Sequence, residues 1–185
     1  MPVTLIAHRY VLGGLGPAEL IVLCRLARSA DPKTIFEFGT FLGATTLQLA
    51  ANTTAEVYTL DLPPRGHPAH VETDYWGQPD EPGEWYRDSP HVSRIQQLYG
   101  NSQTYDFSDY AGKIDFVFVD ASHRYQPAIK DTQTALELVA PGGLVVWHDY
   151  GYRAEGVRRV LNDLSKTRRL RHIAGTSLVV YSADG

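Results

Sequence analysis

The stretch from Ile114 to Trp147 constrains the fold more than any other part of the chain. Ile114-Asp115-Phe116-Val117-Phe118-Val119-Asp120 is almost continuously apolar, which fits a strand buried on both faces of a parallel sheet and not one with a wet side. From about Gln126 to Ala140 the apolar spacing becomes helical, with Ile129, Thr132, Leu136 and Val139 on one face. Pro141-Gly142-Gly143 breaks that helix, and Leu144-Val145-Val146-Trp147 reads as a second buried strand. Two parallel strands need a crossover connection, and such crossovers are right-handed.

The rest of the chain repeats the alternation. Pro17 to Ala30 is a largely apolar helix with Pro at its start, so Cys24 is most simply a small core residue. Thr34–Phe38 and Val57–Asp61 are strands around a helix at Ala44–Ala51, and Arg94–Tyr99 is a weaker third strand. A helix over Ala154–Lys166 carries Val157, Val160, Leu161 and Leu164 as a stripe. Leu170–Ile173 and Ser177–Tyr181 form a closing hairpin through Gly175. The expected fold is α/β, Rossmann-like and doubly wound, with a mainly parallel seven-stranded sheet and an antiparallel C-terminal hairpin strand.

A length of 185 residues suits one domain, here 1–185, with 1–16 as an N-terminal arm and 62–93 as an insertion. No apolar run approaches the ~20 residues of a membrane span, and the start lacks a secretory layout, so a soluble cytoplasmic protein is expected. A single Cys excludes a disulfide framework and a Cys-based zinc site. A net charge of -4 and a pI of 5.9 argue against a dedicated nucleic-acid binder, and the basic run Lys166, Arg168, Arg169, Arg171 reads as a solvated edge. Without a secretion signal, Asn52-Thr53-Thr54 carries no glycosylation argument.

In such sheets ligands bind beyond the carboxyl ends of the strands. The first strand ends Glu37-Phe38-Gly39-Thr40-Phe41-Leu42-Gly43, a turn into a helix whose glycines let backbone pass close to a ligand. A dinucleotide cradle would need Gly-x-Gly-x-x-Gly, and a carboxylate beside the turn suits a cationic ligand better than a pyrophosphate. The alternative is a turn that is only a tight strand-to-helix connection. Asp61 ends the second strand within reach of ribose hydroxyls, or stands there as a solvated strand end. Asn101-Ser102-Gln103 follows the third strand and can hydrogen-bond a heterocycle edge; Asp120-Ala121-Ser122-His123 follows the fourth and His148-Asp149-Tyr150 the fifth.

Together these strand-end motifs resemble those of class I S-adenosylmethionine-dependent methyltransferases, from about Pro17 to Tyr181. Within that superfamily, Gly100-Asn101-Ser102-Gln103, Asp120-x-x-His123-x-Tyr125, Pro141-Gly142-Gly143 and His148-Asp149-Tyr150 look like the small bacterial group related to sugar and natural-product O-methyltransferases, and more distantly like catechol O-methyltransferase. The resemblance implies S-adenosylmethionine as cofactor. Glu37, Gly39, Thr40, Phe41 and Gly43 would meet its methionine end, and Asp61 with Leu62 its ribose. Asn101, Ser102 and Gln103 would meet its adenine, and Asp120, Ala121, Ser122 and His123 would lie beneath its sulfonium. A sulfonium and an ammonium favour nearby carboxylates.

The metal-dependent relatives take one ligand after the fourth strand and two after the fifth, which match Asp120, His148 and Asp149 here. His148 stands where those relatives carry an acid, tilting any divalent ion from Mg²⁺ toward Mn²⁺, Fe²⁺ or Zn²⁺. A metal-free site, with His148 a base or simply packed, stays open. His123, His148 and Asp149 form the candidate catalytic set, with His123 and His148 competing to take the acceptor's proton.

The segment 62–93 contains Pro63, Pro64, His67, Pro68, His70, Tyr75, Trp76, Pro79, Pro82, Trp85, Tyr86, Pro90 and His91. Its length and its rings suggest a part of the acceptor pocket or of a subunit interface in a possible homo-oligomer. The acceptor is expected to be a small hydroxylated molecule. A degenerate cofactor-binding scaffold or sensor is the alternative, and a nicotinamide-dependent oxidoreductase fits the glycine spacing worst.

Overall fold

In the computed structural model, which describes residues 2–6, 13–68, 79–151 and 153–183, seven strands form one sheet. They are β1 (Thr34–Phe38), β2 (Glu56–Asp61), β3 (Ile95–Tyr99), β4 (Ile114–Val119), β5 (Val139–Trp147), β6 (Arg171–His172) and β7 (Val179–Ser182). Their spatial order is β3-β2-β1-β4-β5-β7-β6. The first five run parallel, β7 is antiparallel to β5, and β6 is antiparallel to β7. The expected sheet and its hairpin are therefore present. Strand order reverses between β1 and β4, where a doubly wound sheet opens its ligand crevice.

Helices cover both faces. Helices α1 (Pro17–Ala30) and α2 (Ala44–Asn52) pack one face through Leu20, Leu23, Ala27 and Leu49 against Ile35, Val57, Phe116, Phe118 and Val146. Helices α3 (Tyr125–Leu138) and α4 (Glu155–Leu164) pack the other through Ala135, Leu138, Val157 and Leu161 against Phe36, Phe38, Val117, Val145 and Trp147. The period-2 alternation of a strand sorts these sets, and both faces are largely apolar because the parallel strands have no solvent face. Cys24 lies in this interior with its thiol pushed up to about 12 by burial, as a core residue should.

Three details differ from expectation. Pro141-Gly142-Gly143 does not end the helix before a new strand. It lies inside β5, where the pairing slips between Ile114↔Val139 and Phe116↔Leu144, and Gly142 takes a φ of +84. A bulge accommodates both the missing proline N–H and the positive φ. The buried stripe of α3 is Ala128, Asp131, Thr132, Ala135 and Leu138, with Ile129 and Leu136 only partly buried, because the helix turns a carboxylate inward. Arg94 precedes β3 instead of starting it, and its guanidinium donates to the Ala50 (2.6 Å) and Ala55 (2.7 Å) carbonyls.

The start of the chain is held by two amides one turn apart on α2. Asn52 exchanges hydrogen bonds with the Thr4 backbone (3.0 and 2.8 Å) and Gln48 with the Ile6 backbone (2.9 and 2.8 Å), satisfying buried polar side chains with main chain. Of the insertion, His70, Tyr75 and Trp76 lie outside the described residues. Its later part docks on the glycine turn, Gly83 N–H donating to Phe41 O (2.8 Å) and Trp85 N–H to Leu42 O (2.9 Å). No helix among the described residues is long and apolar enough to cross a membrane.

Candidate active site

The turn after β1 is built around two close approaches. Gly39 has a φ of +90, and a Cβ there would lie 2.2 Å from the Asp120 carbonyl oxygen. That contact lets the ends of β1 and β4 meet at the switch point, with Asp120 N–H donating to Phe38 O (2.9 Å). Gly43 has a φ of +81 and faces the Tyr86 ring, whose nearest carbon would be 2.5 Å from a Cβ. Phe41 between them is also left-handed, φ 49, and is tied down by its N–H to Asp61 Oδ2 (2.6 Å). Asp61 also accepts from the N–H groups of Thr40 (2.9 Å) and Leu62 (2.7 Å). Burial raises the pKa of Asp61 and these three bonds oppose it. The candidate ribose carboxylate is thus also the clamp that shapes the turn.

Glu37 lies on the α2 face of β1, fully buried. Its Oε2 accepts from the Thr46 hydroxyl and from the Thr59 hydroxyl (2.7 Å), whereas Oε1 is buried without a partner. Desolvation pushes this carboxyl up to about 8, against the two hydroxyl bonds. Its unfolded value, 4.5, is lower, so the folded state holds the extra proton between pH 4.5 and about 8, and stability falls as pH rises through that window. Glu37→Gln is therefore expected to flatten the decline in thermal stability from pH 5 to 8 and to stabilise the free protein at pH 8 by a few kcal/mol, on the order of the cost of burying a charge. Calorimetric melting at several pH values measures both.

Across the crevice, β4 and β5 deliver Asp120, His123, His148 and Asp149. His148 Nδ1 lies 3.0 Å from Asp120 Oδ1 and 3.3 Å from Asp149 Oδ2, while Nε2 lies 3.3 Å from Glu19 Oε2. An imidazole with carboxylates at both nitrogens donates from both, which is the imidazolium form. Burial lowers its pKa, but the Asp120 charge and the bonds to Asp120, Asp149 and Glu19 overcome it and carry it to about 12. Glu19 is held down at about 2, chiefly by the His148 bond, with burial opposing. Glu19 Oε1 also accepts from the N–H (2.6 Å) and hydroxyl (2.9 Å) of Ser177.

His123 is 44% exposed, and its Nε2 lies 2.5 Å from Asp149 Oδ2. The Asp149 bond raises its pKa above the ordinary 6.5 although burial opposes it. Asp149, at φ 63, is the residue where the chain leaves β5, and a non-glycine side chain in that conformation marks a site held by its surroundings. Asp120, His123 and Asp149 each place a ligand atom within 4.8 Å of the others. His123 takes part in this trio, whereas both ring nitrogens of His148 face carboxylates, and the trio's mixed N/O donors would suit a borderline divalent ion better than Mg²⁺.

On the third side, Asn101 Oδ1 accepts the Gln103 N–H (2.9 Å), and Gln103 Nε2 donates to Ser102 Oγ (3.0 Å) and Asp131 Oδ1 (2.9 Å). Gln97, on β3, links Thr40 Oγ1 (3.0 Å) to the Tyr86 hydroxyl (2.5 Å). Residues predicted from strand ends therefore converge on one crevice. Sequence reasoning missed Glu19, Asp131, Ser177 and Gln97. For Glu19 a signal existed: Val146 faces α1 and Trp147 faces α3, so parity turns His148 back toward α1, whose inward turn carries Glu19.

The sheet order, the glycine turn at the switch point and the carboxylate-lined crevice define a doubly wound α/β enzyme fold. A family model described as a methyltransferase domain matches residues 36–150, and the chain belongs to that family. This bears out the methyltransferase resemblance and the expectation of an enzyme. No curated protein sequence matches the chain. Among solved structures it is similar to the Podospora anserina methyltransferase PaMTH1 bound to S-adenosylhomocysteine, with a TM-score of 0.69 and 16% identity over 92% of this chain and 79% of that one. It is similar to the O-methyltransferase TomG of Streptomyces achromogenes, with a TM-score of 0.61 and 20% identity over 91% and 81% of the two chains. A Bacillus cereus O-methyltransferase gives a TM-score of 0.59 and 17% identity over 96% and 84%.

Proposed function

We propose that this methyltransferase uses S-adenosylmethionine to methylate a hydroxyl of a small acceptor such as a sugar or natural-product intermediate, with His123 as the base. The observation that carries the reading is the half-exposed His123 held by Asp149 at the ends of β4 and β5, across the crevice from the glycine turn. The structural relatives support it, two being O-methyltransferases bound to S-adenosylmethionine or its product. The site also suits that cofactor: carboxylates at Asp61 and Asp120 favour a ligand carrying a sulfonium and an ammonium, and such a cation would draw the proton from Glu37, whose Oε1 is buried without a partner.

S-adenosylmethionine, when bound, supplies an electrophilic methyl carbon whose bond to sulfur breaks, the electron pair going to sulfur, as the acceptor oxygen takes it. Asp149 orients His123 through Nε2, leaving Nδ1 to accept the hydroxyl proton. His148, as a buried imidazolium, holds Asp120 and Asp149 in place and takes no proton. Gly39 and Gly43 leave room for the Asp120 carbonyl and the Tyr86 ring, so that β4 and the docked part of the insertion close up on the turn. The docked part of the insertion lies against the glycine turn through Gly83 and Trp85, which supports a role for this segment in contacting the acceptor. Release of S-adenosylhomocysteine over a panel of hydroxylated acceptors tests the reading; release with amine or thiol acceptors alone would contradict it.

A second reading rests on the Asp120, His123, Asp149 cluster. These three residues would hold a divalent ion, which would lower the acceptor hydroxyl's pKa in place of a base. His123 cannot then also accept the proton. Chelation separates the two: turnover unchanged within about twofold supports His123 as base, and a loss of more than about tenfold restored by Mn²⁺ supports the metal.

A further inference from the structure

Asp131 is a carboxylate that the proposed chemistry does not use, 1% exposed in the middle of α3. Its Oδ1 accepts from Gln103 Nε2 at 2.9 Å, while Oδ2 is buried without a hydrogen-bond partner. Gln103 also gives its second amide proton to Ser102 Oγ (3.0 Å). Both N–H bonds of the amide are therefore directed inward. Among the described residues no donor engages Gln103 Oε1, so the polar atom left for a ligand is an acceptor.

We propose that Asp131 is a positioning residue that fixes Gln103 with its carbonyl toward the nucleobase, so that the site selects a base bearing an amino group over one bearing an oxo group. The inference rests on the reading of residues 101–103 as the adenine side of an S-adenosylmethionine site. A carboxylate cannot donate, so it cannot hold the carbonyl end of the amide. An asparagine can, and Asp131→Asn permits the Gln103 amide to turn over and present its NH₂ instead.

The test compares binding of S-adenosylhomocysteine with that of its deaminated 6-oxo analogue, S-inosylhomocysteine, by calorimetry. The wild-type chain is expected to prefer the amino form by about ten- to a hundredfold, the effect of facing an acceptor with an unpaired acceptor. Asp131→Asn is expected to reduce that preference below about threefold or reverse it, mostly by tightening the analogue. A loss of affinity for both ligands in equal proportion would mean that Asp131 is merely structural and would overturn the proposal. Should Asp131→Asn fail to fold, the Gln103 side-chain NH₂ resonances of the wild-type chain, assigned by their loss in Gln103→Met, decide the matter. Protection of both protons from exchange, in free and bound protein, is expected, and rapid exchange of either overturns it. Wild-type binding of both ligands with equal affinity sinks this inference and leaves the cofactor reading standing, whereas binding of neither sinks both.

Discussion

His123→Ala lowers turnover by about a hundred- to a thousandfold, the usual worth of a positioned base, while S-adenosylhomocysteine affinity changes by less than about threefold. The pH profile carries the sharper signature. A base works unprotonated, so activity rises with pH through the His123 pKa. The Asp149 bond places that pKa above 6.5, and the acid limb of the wild-type profile has its midpoint there. Asp149→Asn removes the charge and leaves burial, which acts in the opposite direction, so the limb moves to lower pH even as the rate falls from lost orientation. In His123→Ala the limb disappears. An acid limb that survives in His123→Ala with an unchanged midpoint would assign the proton transfer elsewhere. His148 would not be its source, because carboxylates engage both of its ring nitrogens.

Gly39→Ala is the substitution with the largest expected effect on the fold. A methyl group there would meet the Asp120 carbonyl oxygen at 2.2 Å from a backbone held at φ +90, and backbone lies on both sides of the overlap. The ends of β1 and β4 would have to part, costing roughly 4 kcal/mol, in the range where special-φ and overpacking penalties add. For a domain of this size that lowers the melting temperature by about 10 °C. Gly175→Ala provides the control: its φ is +79 but nothing lies within 4 Å of the added carbon, so only the left-handed penalty of about 1 kcal/mol remains. Equal losses at the two positions, measured by thermal unfolding, would show that the close approach at the switch point does not matter.

The architecture was legible because parallel strands advertise themselves: Ile114–Val119 and Leu144–Trp147 are apolar on both faces, and each is followed by a polar residue at the ligand-facing end. The glycine turn and Asp61 were found by the same rule, although Asp61 also proved to be the clamp on Phe41. What escaped was of two kinds. Glu19 reaches Ser177, 158 residues away, and His148, 129 away, and nothing local in a helix start announces such partners. Asp131 broke the expected stripe of α3, since apolar periodicity assigns a carboxylate to the wet face unless donors from other elements await it. The proline-glycine run in β5 misled for a third reason: turn residues also make bulges, and only the neighbouring strand's register distinguishes the two.

The central claim is that this crevice belongs to S-adenosylmethionine. Titration calorimetry of the wild-type chain with S-adenosylhomocysteine, and separately with NAD, tests it most directly. The account predicts one-to-one binding of S-adenosylhomocysteine in the micromolar range common for enzyme ligands, weakened by Glu37→Gln, and no heat with NAD. Binding of NAD with no response to S-adenosylhomocysteine would contradict it.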